Sequence, residues 1–169
     1  MLHTLSIFVL PALMILAAVS DCASLRIPNW LTGFTALAFF PMAWATGMPI
    51  AELGWHVLAG IVLFFAGYAL FALGLFGGGD AKLMAAAGLW FGTAQSLNFL
   101  TMTAIAGGIL AFVIAVWAAA FLSWDMSGSE RTLPLRQRLR QWAPKVPYGI
   151  ALAVGAILAF PGTWWMNVA

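Results

Sequence analysis

Residues 75–88 read LFGGGDAKLMAAAG and place two charged side chains between strongly apolar stretches. Three consecutive glycines stand directly before Asp80, and Lys82 follows two residues later. Taken alone, Asp80 is explained as a helix cap, because an Asp oxygen accepts a backbone N–H at the start of a helix. A cap does not need three glycines, since their particular property is to allow a close approach of backbone or ligand. The stretch therefore predicts a helix that begins at an Asp with a further role.

The composition indicates a membrane protein. Of 169 residues, 64% are hydrophobic and only 7% are charged, and the mean hydropathy is +1.01. Soluble domains have about a quarter of their residues charged. Trp and Phe are abundant, as expected at bilayer interfaces, and Gly allows helices in lipid to approach closely. We therefore expect an all-α, polytopic membrane protein with one domain over residues 1–169 and no separate soluble domain.

Apolar runs near the ~20 residues needed to cross a bilayer predict about six transmembrane helices. A polar stretch at residues 93–98 predicts a tight turn between the fourth and fifth of them. The first run resembles a signal peptide in length, but we do not expect one because residues 1–10 contain no Lys or Arg. The expected spans are about 2–20, 30–48, 55–76, 81–95, 99–122 and 146–168, with a cytoplasmic loop over 123–145.

The seven Lys and Arg residues predict the orientation, since cytoplasmic loops are enriched in them. In the six-span topology all seven fall on one side, which places both termini outside the cytoplasm. The basic cluster at 131–145 is then a loop on the inner leaflet, and a nucleic-acid partner is not expected. Cys22 is the only cysteine, so no internal disulfide or cysteine-rich metal site is expected.

Asp21 and Asp80 are 59 residues apart, yet this topology places both at the cytoplasmic ends of apolar helices. The plain alternative for Asp21 is a solvated residue beside Arg26. A carboxylate near hydrocarbon is costly, however, and usually has a partner or a function. Two carboxyls that share one proton can hydrolyse a peptide bond, one by activating water and the other by protonating the carbonyl oxygen. We expect Lys82 to extend to lipid phosphates and His56 to lie at the outer interface.

Three stretches carry a resemblance to a known family: Asp21 with the following RIPNWLT, the run GGGDAKLMAAAGLW, and the late KVPYGIAL. With them the chain resembles the prepilin peptidases, which are aspartic G-x-G-D membrane proteases, in the short form of Flp-type tight-adherence pili. The resemblance implies that Asp21 and Asp80 are the catalytic pair. It implies substrate binding or loop support for the glycines and the Ile-Pro-Asn segment, namely Gly77, Gly78, Gly79, Pro28 and Asn29.

The same resemblance implies a setting for the protein. The substrate would be a pilin precursor cut at a Gly near the end of a short basic leader, in the inner membrane of a bacterium. Further partners would be the lipid bilayer and the pilus assembly machinery, and neither a cofactor nor a metal is implied. Larger prepilin peptidases add a cytoplasmic region with Cys-x-x-Cys motifs and methylate the new amino terminus. Residues 21–30 leave no room for that region, so we expect a peptidase without methyltransferase activity.

Two other interpretations remain open on the sequence. The first is a preflagellin-type or presenilin-like G-x-G-D protease, which differs in its substrate and not in its mechanism. The second is a non-enzymatic membrane scaffold or small transporter, in which the two acids bind a proton or a cation. Both keep Asp21 and Asp80 as the functional groups.

Overall fold

The computed structural model describes residues 2–125 and 147–167, and within these ranges every regular element is helical. The described chain forms two compact units, one of residues 2–107 and 147–167 and the other of residues 108–125. The elements are α1 (Leu2–Ser24), α2 (Asn29–Ala45), α3 (Ile50–Ala72), α4 (Gly78–Asp125), α5 (Tyr148–Ala159), a 3₁₀ turn (Phe160–Gly162) and α6 (Trp164–Asn167).

Three of the described helical segments are long and apolar enough to cross a membrane: Ser6–Ser24, Ile50–Ala72 and Gly78–Ala120. Two other apolar segments are shorter than these three. One covers Tyr148–Gly162, and the other is the 17-residue α2. The predicted all-α membrane fold is confirmed. The number of crossings remains a prediction, and most of the expected loop at 123–145 lies outside the described residues.

Helix α4 is interrupted at Gly92, whose backbone has φ 62° and ψ 178°. Only glycine adopts this combination readily. The rings of Phe91 and Phe99 stack with their centroids 4.6 Å apart, whereas eight residues of continuous helix would separate them by ~12 Å. The chain therefore reverses direction at Gly92. The turn expected over residues 93–98 was wrongly placed, because these residues are helical and the reversal requires a glycine.

The reversal divides α4 into a first arm, residues 78–91, and a second arm that starts at residue 93. The last carbonyls of the first arm have no partners along the helix. Two side chains supply the missing donors. The Nδ1–H of His56 donates to the Leu89 carbonyl over 2.6 Å, and the indole N–H of Trp165 donates to the Trp90 carbonyl over 2.7 Å. His56 is 1% exposed, so its ring lies inside the helix packing. Its depth at the outer membrane interface stays a prediction.

Small residues let α3 approach the first arm of α4. A Cβ added to Gly67 would lie 3.0 Å from the Ala81 carbonyl oxygen, and one added to Gly88 would lie 3.2 Å from the Ala59 carbonyl oxygen. Close backbone contact of this kind stabilises helix pairs in lipid, where burial of apolar side chains gives little advantage. The start of α4, including Asp80, is thereby fixed against α3.

The second arm of α4 packs along α5 over residues 93–107. A Cβ added to Gly155 would overlap Thr103, and one added to Gly107 would lie 3.4 Å from the Ala151 methyl group. Helix α5 is shorter than the expected span at 146–168, because Pro161 has no N–H to continue it and the chain passes into the 3₁₀ turn.

We predict that Gly92→Ala destabilises the fold. An alanine Cβ would lie 2.9 Å from His56 Nε2, and the glycine-only backbone conformation costs a further ~1–3 kcal/mol. The melting temperature of the purified protein in detergent should fall clearly. The matched control is Gly54→Ala, in a helix with nothing within 4 Å of the new methyl, and it should melt at or above the parent temperature. Equal melting temperatures for the two variants would contradict the reversal at Gly92.

Candidate active site

Asp21 lies in the last turn of α1 and is only 5% exposed. The backbone N–H of Gly149 donates to Asp21 Oδ2 over 2.7 Å. Gly149 is the second residue of α5, where backbone N–H groups have no partner within the helix. Asp21 satisfies one of these donors, so its carboxyl is held against the start of α5.

Asp80 is the third residue of α4 and is 8% exposed. Its carboxyl is hydrogen-bonded by the backbone of Gly77. Its Oδ1 atom is buried and has no hydrogen-bond partner among the described residues. A buried carboxyl oxygen of this kind takes its hydrogen bond from water or a ligand. Asp80 Oδ1 is therefore the site atom that is available to such a donor.

Both carboxyls face one cavity of about 260 Å³, which is also lined by glycines 77–79 and by residues 25–27. They are close enough for the charge of Asp21 to act on Asp80. Two buried carboxyls that share a site do not both ionise readily, so such a pair retains one proton between them. The arrangement combines a base and an acid in a single small cavity.

Glycine is required at two positions around the cavity because a side chain would meet the site. A Cβ at Gly77 would lie 2.8 Å from Asp80 Oδ2, and one at Gly79 would lie 3.1 Å from the Ile27 Cβ. Gly78 lines the cavity, but a Cβ there would make only ordinary contact with Phe71. The glycine run thus allows Asp80 and the segment after α1 to approach each other.

The short segment between α1 and α2 is fixed by side chains from α1. The hydroxyls of Ser20 and Ser24 donate to the Arg26 carbonyl over 3.0 and 3.3 Å. Leu25 has φ 51°, a left-handed conformation that is costly for a residue with a branched side chain. Such strain persists only where the surroundings impose it. The segment therefore forms one rigid wall of the cavity. Arg26 lines the cavity as well, but in the described part of the chain it forms no ion pair with Asp21.

Pro28 and Asn29 form the start of α2. Pro28 is the residue before the helix, with φ −62° and ψ 141°, and Asn29 is its first residue. Asn29 Oδ1 accepts a hydrogen bond from Lys82 Nζ over 2.8 Å. Lys82 thus contacts a candidate site residue, and its expected extension to lipid phosphates stays a prediction. The Ile-Pro-Asn segment and the glycine run are thus joined directly.

The described Glu and His side chains of α3 lie away from this cavity. Glu52 is in the first turn of α3, with its Oε1 3.7 Å from His56 Nε2. Among the described residues, no three His, Cys, Asp or Glu side chains gather as metal ligands would. The two aspartates are accordingly the only carboxyls that line the cavity in the described chain.

Comparison with known proteins assigns the family. The model of the type IV leader peptidase family matches residues 8–112, a range that contains both aspartates and the glycine run. The chain belongs to the type IV leader peptidase family. It is therefore a membrane-embedded peptidase. No curated protein and no solved structure matches the chain.

Gly149 is a residue of the candidate site that the sequence reasoning missed. It lies in the quoted stretch KVPYGIAL, whose Pro and Gly indicated the start of a helix, but nothing in the sequence pairs it with Asp21. A Cβ at Gly149 would lie 2.8 Å from both the Cβ and the Oδ2 atom of Asp21. A glycine within the first turn of an apolar helix was the available signal, because glycine there lowers helix stability without a local benefit.

We predict that Gly149→Ala inactivates the peptidase without unfolding it. The methyl group would displace the Asp21 carboxyl and weaken its hydrogen bond, and a misplacement of 1 Å can reduce a catalytic rate ~100-fold. Cleavage rates of a pilin precursor measure the effect, and Gly54→Ala serves as the control because its surroundings are open. Full activity of a stably inserted Gly149→Ala protein would show that this contact does not position Asp21.

Proposed function

We propose that this protein is an aspartic endopeptidase in which Asp21 and Asp80 form one catalytic pair. The observation that supports this most strongly is the single cavity that both buried carboxyls line. Helix α1 ends and α4 begins at that cavity. The backbone of Gly149 holds the Asp21 carboxyl, and the backbone of Gly77 holds the Asp80 carboxyl. Family membership independently indicates a peptidase.

The pair would hydrolyse the peptide bond by general acid and base catalysis. The ionised carboxyl takes a proton from a water molecule, whose oxygen bonds to the carbonyl carbon. The protonated carboxyl gives its proton to the carbonyl oxygen, and a tetrahedral intermediate results. Collapse of the intermediate breaks the C–N bond. The carboxyl that took the proton from water gives it to the departing amine, and one hydroxyl of the intermediate returns its proton to the other carboxylate as the product carboxyl forms. The pair ends with the one shared proton with which it began.

The proposed substrates are precursors of type IV pilins, in particular of the Flp type, cut at the cytoplasmic face of the inner membrane. Such a precursor joins a basic leader to an apolar helix, so its cleavage point lies at the membrane boundary. Arg26 and Lys82 flank the two aspartates, which supports a cytoplasmic position for the cavity because Lys and Arg are enriched on that side. In this orientation both termini lie outside the cytoplasm, and the expected partners are the precursor and the pilus assembly machinery.

We further propose that the enzyme does not methylate its product. Helix α1 ends at Ser24 and α2 begins at Asn29, so only residues 25–28 separate them. This segment cannot hold the cytoplasmic region that accompanies methylation in the larger prepilin peptidases.

Asp21→Asn and Asp80→Asn should each abolish cleavage while the protein remains in the membrane. Asn has nearly the same size and caps a helix almost as well as Asp, but it can neither accept nor donate the catalytic proton. The double variant should lose little more than either single one, because residues that act as a unit are strongly non-additive. The assay is co-expression with a pilin precursor and detection of the shortened product.

Glu52→Gln and Asp125→Asn are the controls and should cut normally. A stably inserted Asp21→Asn or Asp80→Asn protein that cuts at the parent rate would disprove the pair.

Pilin processed by this enzyme alone should carry an unmodified amino terminus. Mass spectrometry of the mature pilin measures this, with pilin from a methylating prepilin peptidase as the reference. A mass increase of one methyl group on the first residue, with no other enzyme present, would contradict the proposal.

A further inference from the structure

A second and larger cavity opens beside the catalytic one. It has a volume of about 470 Å³ and lies between α2, α3 and the first arm of α4. Small residues such as Gly33 and Ala36 form part of its lining, together with the exposed side chains of Ile61 and Phe65. From Lys82 to Leu89 the lining follows seven residues of helix, or ~10 Å. The cavity is therefore an apolar surface groove about two helical turns long, which we call the α2–α4 groove.

One end of the α2–α4 groove is polar and adjoins the aspartates. Lys82 and Asn29 line that end and are joined by their 2.8 Å hydrogen bond. Asp80 precedes Lys82 by two residues, and Ile27 in the catalytic cavity precedes Asn29 by two. The polar end of the groove therefore lies ~3 Å along the axis of α4 from Asp80, next to the catalytic cavity, with which it shares no lining residue.

We propose that the α2–α4 groove binds the first turns of the apolar helix that follows the cleaved bond in the substrate. Lys82 and Asn29 donate hydrogen bonds to backbone carbonyls of the short extended segment between that bond and the helix. The inference rests on the proposed function, since it supposes that cleavage occurs at Asp21 and Asp80. It makes the groove the specificity-determining surface for precursors that carry an apolar helix.

The polar end of the groove offers hydrogen-bond donors, which the extended segment of any such substrate requires. A bond that is to be cut must lie in extended chain, and extended backbone at a membrane boundary has carbonyls without helical partners. The Lys82 ammonium has three N–H donors, of which Asn29 Oδ1 takes one. The Asn29 NH₂ group adds two further donors, because Asn29 uses its oxygen for Lys82.

A comparable groove between α1 and α5 is less suited to this role. It has a volume of about 520 Å³ and is lined by apolar residues, with Cys22 among them. None of its lining side chains offers an N–H donor. On that side of the catalytic pair, moreover, Asp21 is already bonded to Gly149, whereas Asp80 beside Lys82 retains an unpaired oxygen. The observations favour the α2–α4 groove.

The first test fills the groove and leaves the catalytic pair unchanged. Gly33 has nothing within 4 Å of an added Cβ and lines the groove, so Gly33→Phe projects into it without disturbing the core. Cleavage of a precursor with its apolar helix should fall at least about tenfold, because the phenyl ring fills the space in which the helix packs and displaces the bond to be cut from the two aspartates. Cleavage of a short peptide that spans the same bond but lacks the helix should stay at the parent rate. Gly54→Phe, on an open surface outside the groove, is the matched control and should cut both substrates normally.

The second test detects binding without requiring cleavage. In an Asp80→Asn, Cys22→Ala background, a photoreactive thiol label is placed on Ala36→Cys inside the groove or on Leu37→Cys, its outward neighbour with 68% exposure. An Asp80→Asn protein labelled at the native Cys22 probes the α1–α5 groove. The precursor should crosslink from position 36 and only weakly from positions 37 and 22.

Each outcome decides one question. The groove proposal is overturned if the precursor crosslinks from position 22 or 37 with the same yield as from position 36. It is also overturned if the label at position 36 reacts only with lipid when the precursor is present. Cleavage of the full precursor by Gly33→Phe at the parent rate overturns it too. If the parent enzyme cuts neither substrate, the proposed function fails, and the crosslink from position 36 still shows by itself whether the groove binds an apolar helix.

Discussion

The hydrogen bond between the Gly149 amide and the Asp21 carboxyl is the constraint on which the site depends. It joins the end of α1 to the start of α5, between residues 128 positions apart along the chain. Because the carboxyl lies 2.8 Å from where a Cβ would be, any larger residue at position 149 would displace it. A buried carboxyl needs such a donor, since an unpaired one would carry the full cost of its lost hydration. The position of Asp21 is therefore set by backbone and not by a flexible side chain.

The site also requires that α4 reverse its direction at the end of the helices that lies away from the aspartates. This reversal occurs at Gly92. The first arm of α4 leads away from Asp80, and the second arm returns along α5. His56 and Trp165 bind the carbonyls that the reversal frees, so the turn is stabilised inside an aromatic core. The returning second arm meets α5 at Ala151, two residues after the Gly149 donor.

The sequence predicted the features that depend on local composition. Hydropathy predicted the all-α membrane fold, and the isolated acids with their glycine run indicated Asp21 and Asp80 as the groups to examine. The sequence did not place the turn at Gly92, because polar residues mark turns in water, whereas a turn inside a helical protein depends on the backbone freedom of one residue. Contacts between residues far apart in the sequence could not be predicted either. Those of Gly149 with Asp21 and of His56 with Leu89 form only when the helices pack. The hydrogen bond between Lys82 and Asn29, 53 residues apart, is a third contact of this kind.

The most direct test of the account measures whether positions 21 and 80 face each other. A variant with Asp21→Cys, Asp80→Cys and Cys22→Ala, and with a protease site inserted between Gly47 and Met48, allows a short bifunctional thiol reagent to join the two positions within one chain. After proteolysis in the membrane, the account predicts that the two fragments stay linked, and that variants with only one of the two new cysteines separate. Fragments that separate in the double-cysteine protein, with both thiols shown to react singly, would contradict the shared cavity.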